Sequence, residues 1–314
     1  MKWVYLSGGV GGARLLRGLS EVLGPEHLTV IVNTGDDFDH WGLRICPDLD
    51  TVMYNLAGLS HDERGWGLAR ESFEALDMVR RYGGATWFAL GDRDLATHLM
   101  RTEALRGGES LTAVTRRLYR ALGIAHQVLP MCDARVATTM HTVDGRALPF
   151  QRWFVQEQCA PALRGIRLEG HPEPHLEVLQ ALRAADAVVI GPSNPYVSID
   201  PILQVPETRA AVFSRAVFAV SPIVAGQAVK GPLATMIEQL AGTKASAGAI
   251  ARHYAGEGGQ QLAGLVVERG DEAEAARLGQ GVPIIGAATV MRSHQDSVSL
   301  ARTCLEAFSK WGHS

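Results

Sequence analysis

Five loops in this chain gather residue types that bind and move phosphate groups. The first is Ser7-Gly8-Gly9-Val10-Gly11-Gly12-Ala13-Arg14-Leu15. Glycines at such a place let the backbone turn tightly and aim N–H groups at an anion before a helix N-terminus. No Gly-Lys-Ser/Thr follows, so the loop is not a P-loop, and its spacing is not a clean G-x-G-x-x-G. Its glycine density favours a phosphate ligand, with Gly8, Gly9, Gly11 and Gly12 as backbone donors, over a plain strand–helix turn.

The second loop runs from Val32-Asn33-Thr34 through Trp41 and on to Cys46-Pro47-Asp48-Leu49-Asp50-Thr51, with five carboxylates inside fifteen residues. A dinucleotide enzyme needs one acid there for a ribose hydroxyl. Five repel one another unless something positive sits among them. A divalent cation such as Mg²⁺, held by some of Asp36, Asp37, Asp48 and Asp50 and arriving with phosphates, answers that need. The plainer alternative is a solvated acidic loop in which Asp48 or Asp50 caps the next helix.

The remaining loops are polar tips beside apolar runs. Leu90-Gly91-Asp92-Arg93-Asp94 precedes Leu95-Ala96-Thr97-His98, either as a salt-bridged helix start with Asp94 as N-cap or as a ligand-facing cluster. Gly191-Pro192-Ser193-Asn194-Pro195 follows Ala187-Val188-Val189-Ile190 and suits either nucleotide recognition or an Asx-type turn. Ser221-Pro222-Ile223 leads to Lys230, a phosphate partner or a surface lysine.

These loops need a scaffold that brings strand ends together. Trp3–Leu6, glycine turn, Ala13–Leu23 and Leu28–Val32 read as the opening of a parallel βαβ unit. Thr51–Leu59, Gly67–Tyr82, Leu95–Arg101 and Ser110–Leu122 have helical spacing. Alternation over about 138–155, with Asp144-Gly145 as turn, predicts a hairpin. Further strands are expected at Ala187–Ile190, Val217–Val220, Leu265–Val267 and Pro283–Ile285. A closing helix, Ser297–Trp311, carries Val298, Ala301, Leu305 and Phe308 on one face. The fold class expected is α/β, a Rossmann-like, mostly parallel sheet with helical and β-hairpin insertions. It forms a single domain over 1–314, with the core in about 1–58 and 186–314 and the elaboration in about 59–185. Ligands of such sheets sit beyond the strands' carboxyl ends.

Composition narrows the class of function. The chain has 314 residues, 46% of them hydrophobic, and a formal charge of −3 spread without a basic stripe, so no nucleic-acid footprint is visible. No apolar run approaches ~18 residues and no signal-peptide pattern opens the chain, so a cytoplasmic protein without membrane attachment is expected. Cys46, Cys132, Cys159 and Cys304 lack C-x-x-C spacing, which argues against structural zinc and a disulfide framework.

Taken in order, the motifs resemble those of the 2-phospho-L-lactate transferase (CofD) family. The likeness rests on Ser7–Leu15, the Asn33-Thr34 turn and its acids, Pro47–Val52, Leu90–His98, Gly191–Pro195 and Ser221–Ile223, and runs to about residue 232. It implies a Mg²⁺-dependent, usually dimeric transferase. Such enzymes move a phospholactyl, phosphoenolpyruvyl or phosphoglyceryl group from its guanosine-diphosphate-linked form to the 5′-hydroxyl of 7,8-didemethyl-8-hydroxy-5-deazariboflavin (Fo). GMP leaves, in the biosynthesis of coenzyme F-420.

Asp50 matches a family contact to Fo, and a second falls at Ala89, where relatives often carry Lys or Arg. On this resemblance Asp50 or Asp37 orients or deprotonates the attacking hydroxyl, with Asp92 also near Fo. Ser193 and Asn194 hold the guanosine part, Arg93 or Lys230 meets the leaving phosphate, and Trp41 or Trp66 stacks on the deazaflavin. Two other readings compete. One is a non-catalytic, nucleotide-ligand-binding regulator of the related gluconeogenesis-factor group. The other is an NAD(P)-dependent oxidoreductase, against which the acid cluster counts.

Overall fold

Successive residues of a strand face opposite sides of a sheet, and in this chain both sides are apolar. The computed structural model describes residues 1–61, 64–255, 262–279 and 281–311; the Phe308 side chain lies outside what is described. Seven strands form one sheet: β1 (Trp3–Ser7), β2 (Leu28–Val32), β3 (Gln127–Pro130), β4 (Ala187–Ile190), β5 (Ala216–Val220), β6 (Gly264–Glu268) and β7 (Ile284–Ala287). The order is β7-β6-β5-β4-β1-β2-β3, and every pairing is parallel. Val4, Leu6, Val188, Ile190 and Leu265 pack into one hydrophobic layer, and Trp3, Tyr5, Val189, Phe218 and Val266 into the other. Helices on both faces close these layers, as an all-parallel sheet requires. This is the expected α/β Rossmann-like fold, and its strand order reverses between β1 and β4.

Helix α1 (Gly9–Val22) and α2 (Pro47–Leu56) lie on the second layer with the C-terminal helix His294–Trp311. Pro47 stands at the first turn of α2, where its missing N–H costs nothing. The helix therefore begins four residues ahead of the expected Thr51, and Asp48 and Asp50 lie inside its first turn rather than capping it. The expected helix over Gly67–Tyr82 shrinks to α3 (Glu74–Arg81), because Gly65, Gly67 and Arg70 turn through φ of 73°, 68° and 56°. Helix α4 (Asp92–Arg106) has Gly91 as its N-cap, so Asp94 is an interior first-turn residue and not the cap. Helix α5 (Leu111–Ala121) is capped by Ser110, whose Oγ accepts from the Ala113 N–H at 3.2 Å.

Between β3 and β4 the chain builds a three-stranded antiparallel sheet in which Val136–Thr142 lies between Ala147–Pro149 and Leu163–Gly170. Gly145 turns the hairpin at φ 89°. Met140, Phe150 and Trp153 of this unit pack against Val197 and Met236 and so fix its position beside the main sheet. β3 itself comes from the segment assigned to the elaboration and extends the central sheet by one edge strand.

Candidate active site

The switch point between β1 and β4 opens into a cleft of roughly 680 Å³, within the usual range for small-molecule sites. Two strand-end loops meet at its base. Ser193 Oγ donates to the Gly8 carbonyl at 2.8 Å and accepts from the Gly8 N–H at 3.3 Å. Gly9 takes φ 64°, and its N–H donates to Asp48 Oδ1 at 2.6 Å. Gly11 lies against the neighbouring loop so closely that a Cβ there would fall 2.3 Å from the Pro192 carbonyl oxygen. Glycine at that point lets the two loops touch.

Asn33, at the end of β2, organises the acids. Its Nδ2 donates to Asp48 Oδ2 at 2.8 Å and to the Val197 carbonyl at 3.1 Å, while its Oδ1 accepts from Gly35 N–H. Asp36 faces the same cleft, and its buried Oδ1 has no hydrogen-bond partner among the described residues. Burial, then the charge of Asp48, pushes the Asp36 carboxyl well above the usual carboxylate range. Burial raises Asp48 to about 6 against the hydrogen bonds from Asn33 and Gly9.

The four carboxylates proposed as metal ligands thus separate. Asp37 turns from the cleft toward Arg44, at 3.5 Å, and burial lifts it to about 7. Asp50 is gripped by both terminal nitrogens of Arg101, one of them at 3.1 Å from Oδ2. Among the described residues no three His, Cys, Asp or Glu side chains form a metal cage. Asp36 and Asp48, with one orphaned oxygen between two acids of raised pKa, still fit a hard cation that takes one or two carboxylates and completes its shell with phosphate and water.

Above this base the cleft has a cationic side and an aromatic side. Arg14, Arg64 and Lys230 line it near the glycine loop; Lys230 Nζ donates to the Arg64 carbonyl at 2.7 Å. Burial, with Arg14 nearby, lowers the Lys230 pKa. Trp66, Trp87, Phe88, Phe150 and Phe154 supply flat apolar wall, the last two stacked with centroids 5.4 Å apart. Ala89 sits in this wall with no polar side chain to offer.

Of the candidates named from sequence, Gly8, Gly9, Gly11, Asp36, Asp48, Asp50, Trp66, Ala89, Ser193, Asn194 and Lys230 line the cleft. Asn194 also closes an Asx turn, its Oδ1 accepting from the Tyr196 N–H at 3.0 Å. Gly12, Asp37, Trp41, Asp92 and Arg93 are not among the lining residues. The Gly12 carbonyl accepts from the Tyr5 hydroxyl, Trp41 Nε1 donates to the Ala85 carbonyl, and Arg93 donates to the Ala69 carbonyl.

Asp92 accepts from Ser72 Oγ and from the N–H groups of Glu74 and Ala75, and so caps α3. Replacement of Asp92 by Ala should lower the melting temperature by a few degrees and leave turnover unchanged. Thermal melts beside steady-state kinetics check this, and lost turnover at full stability would return Asp92 to the site. Residues that local sequence did not single out include Tyr54, Arg101, Phe150 and Phe154. The i, i+3 pair His98–Arg101 and the i, i+4 pair Phe150–Phe154 were the available signals.

The family described as 2-phospho-L-lactate transferase CofD matches residues 4–277. A phosphoenolpyruvate transferase of Kitasatospora aureofaciens is 41% identical over 97% of both chains. One from Thermobifida fusca is 39% identical over 98% of this chain and 97% of its own. A 2-phospho-L-lactate transferase of Methanopyrus kandleri is 37% identical over 97% of both. Among solved structures, a UPF0052 family member from Bacillus halodurans superposes with a TM-score of 0.62 at 17% identity, over 97% of this chain and 98% of that one, which shows the shared fold.

Proposed function

Because this chain belongs to the 2-phospho-L-lactate transferase CofD family, we propose that it transfers a phosphorylated three-carbon acid from a guanosine-diphosphate-linked donor to the 5′-hydroxyl of Fo. The names of the relatives from Kitasatospora and Thermobifida support phosphoenolpyruvate as the acid. One observation carries the reading: a single cleft joins a phosphate-type glycine loop and three cationic side chains to a flat aromatic wall. The first suits a diphosphate and the second a planar tricyclic ring.

In the reaction the hydroxyl oxygen attacks the phosphorus that bears the three-carbon acid. The bond from that phosphorus to the oxygen of the GMP phosphate breaks, GMP departs with the electron pair, and the hydroxyl proton passes to solvent. Such transfers depend on positioning and charge neutralisation. The N–H groups of the glycine loop, with Arg14 and Lys230, would hold the diphosphate. Asp36 and Asp48 would hold Mg²⁺, which when bound supplies positive charge against the phosphates. Asp50 would orient the attacking hydroxyl. Trp66, Phe88 and Phe154 would exclude water around the ring. Assembly as a homodimer in the cytoplasm belongs to the same proposal; among the described residues no helix is long and apolar enough to cross a membrane.

The test mixes the purified protein with Mg²⁺, Fo and each of the phosphoenolpyruvyl, phospholactyl and phosphoglyceryl donors, and follows GMP release and product mass. Product from the phosphoenolpyruvyl donor is expected. No product from any donor, with ligands bound, would replace the transferase by the non-catalytic reading.

A further inference from the structure

Asp50 is the carboxylate best placed for the acceptor, yet its charge is not free. Arg101, buried on α4, takes it in a two-pronged grip through both terminal nitrogens. The pair is closed off from water on the protein side: Asp50 is 5% exposed and Arg101 2%. Burial works against the Arg101 charge, but its neighbours, Asp50 first among them, hold it charged. A carboxylate held this way keeps lone pairs for a hydroxyl donor and loses most of its pull on a cation.

A second residue fixes Arg101. His98, one turn earlier on α4, is 1% exposed and also lines the cleft. Its Nδ1 lies 3.3 Å from an Arg101 terminal nitrogen and 3.7 Å from Asp50 Oδ2. A guanidinium only donates, so Nδ1 must be the accepting nitrogen and the imidazole proton sits on Nε2. Nε2 faces Asp94 Oδ2 at 3.3 Å, and Asp94 is in turn anchored by the Tyr54 hydroxyl at 2.5 Å. Burial pushes the Asp94 carboxyl up, but the nearby His98 imidazole and the Tyr54 hydroxyl hold it below the usual value, so it remains an acceptor. Tyr54, Asp94, His98, Arg101 and Asp50 therefore form one contiguous polar cluster along the cleft, in which the His98–Asp94 approach is an electrostatic contact and the Tyr54–Asp94 and Arg101–Asp50 contacts are hydrogen bonds.

We propose that Arg101 and His98 are positioning residues for the acceptor: Arg101 commits Asp50 to the attacking hydroxyl rather than to the metal, and His98 holds Arg101 in register. This rests on the transferase reading above. It divides the acid loop by role, with Asp36 and Asp48 serving the donor's charge and Asp50 the acceptor's hydroxyl. Asp94, which also lines the cleft, acts on Arg101 and Asp50 through His98.

The test measures acceptor and donor kinetics separately for wild type, Arg101→Lys, His98→Gln, His98→Leu, Asp50→Asn and the Asp50→Asn/Arg101→Lys double variant, with a thermal melt for each. Arg101→Lys should lower kcat/KM for Fo at least about 30-fold with the donor KM within twofold of wild type. His98→Gln keeps one acceptor and one donor and should recover most of what His98→Leu loses. In the Asp50→Asn background, Arg101→Lys should add less than about threefold.

Additive losses in the double variant, or equal losses on the donor and acceptor sides that track melting temperature, would overturn the assignment. So would His98→Leu with wild-type kinetics, and the histidine variants decide the matter if Arg101→Lys does not fold. Wild-type protein silent with all three donors would instead remove the transferase reading itself.

Discussion

Asparagine in place of Asp36 is expected to give a folded, more heat-resistant protein with turnover reduced about 10³-fold, the scale seen when one preorganised charge partner is removed from a transferring group. The side chain is buried beside Asp48, and its Oδ1 has no partner among the described residues. An amide of the same shape removes a desolvated charge and its repulsion from Asp48 without breaking a hydrogen bond that holds the fold. Stability and activity should therefore move in opposite directions.

The pH dependence carries the same signature. Asp48 is raised from 3.8 to about 6 in the folded protein, so the folded state binds the proton more tightly than the unfolded one. Stability present below about pH 4 is then lost as the pH rises through about 6. Asp36, shifted upward as well, adds to the loss in the same direction. The melting-temperature advantage of Asp36→Asn over wild type should be small at pH 4 and largest near pH 7, and Mg²⁺ should narrow it at pH 7 by stabilising the wild type. Thermal melts across that range and steady-state kinetics check both arms. A variant within tenfold of wild-type kcat would end the role assigned to Asp36.

Alanine at Gly11 should have the largest effect on donor use. Its Cβ would stand 2.3 Å from the Pro192 carbonyl oxygen, a backbone atom that cannot move aside alone. Helix α1 and the Gly191–Pro195 loop would have to separate, which opens the contact between Gly8 and Ser193 that closes the base of the cleft. We expect kcat/KM for the nucleotide donor to fall at least about 100-fold, with a stability loss of about 1–3 kcal/mol from overpacking. Urea melts and donor titrations measure the two. Gly165, with nothing within 4 Å of its would-be Cβ, is the control, and Gly165→Ala should match wild type. Unchanged donor kinetics in Gly11→Ala would show that the loops need not touch.

Much of the scaffold was legible because its strands are apolar on both faces. Trp3–Leu6, Leu28–Val32, Ala187–Ile190 and Val217–Val220 stand out as runs bounded by turn residues, and the sheet uses all four. Gln127–Pro130 did not, because an edge strand is short and partly exposed, begins with a polar residue and can end in proline. The stretch 67–73 kept helical spacing, but Gly67 and Arg70 turn the backbone out of the helical region.

The candidate site divides along similar lines. Gly8, Asp48 and Ser193 could be read from local motifs because loops at adjoining strand ends carry Gly8 and Ser193 and the Pro47-led first turn of α2 carries Asp48. Asp92 and Arg93 share a motif with Asp94, yet the helix start aims their side chains at α3 and at the Ala69 carbonyl. Local spacing could pair Arg101 only with His98, three residues earlier; its main partner, Asp50, lies 51 residues away in sequence, so its role stayed hidden. Polar residues that serve one another across the fold are found only when the fold is known.

The place of β1 in the sheet bears on how the chain is made. β1 pairs with β2 soon after synthesis, but its other edge waits for β4, where Trp3 meets Ala187. At ordinary translation speeds of ~5–20 residues per second, that wait lasts on the order of 10–40 seconds. Through it, a strand buried along its whole length in the folded protein presents an open hydrogen-bonding edge beside the ribosome. Substitutions that weaken Ala187–Ile190 should thus reduce the yield of soluble protein more than the stability of whatever folds, and slower translation before residue 187 should lengthen the hazard.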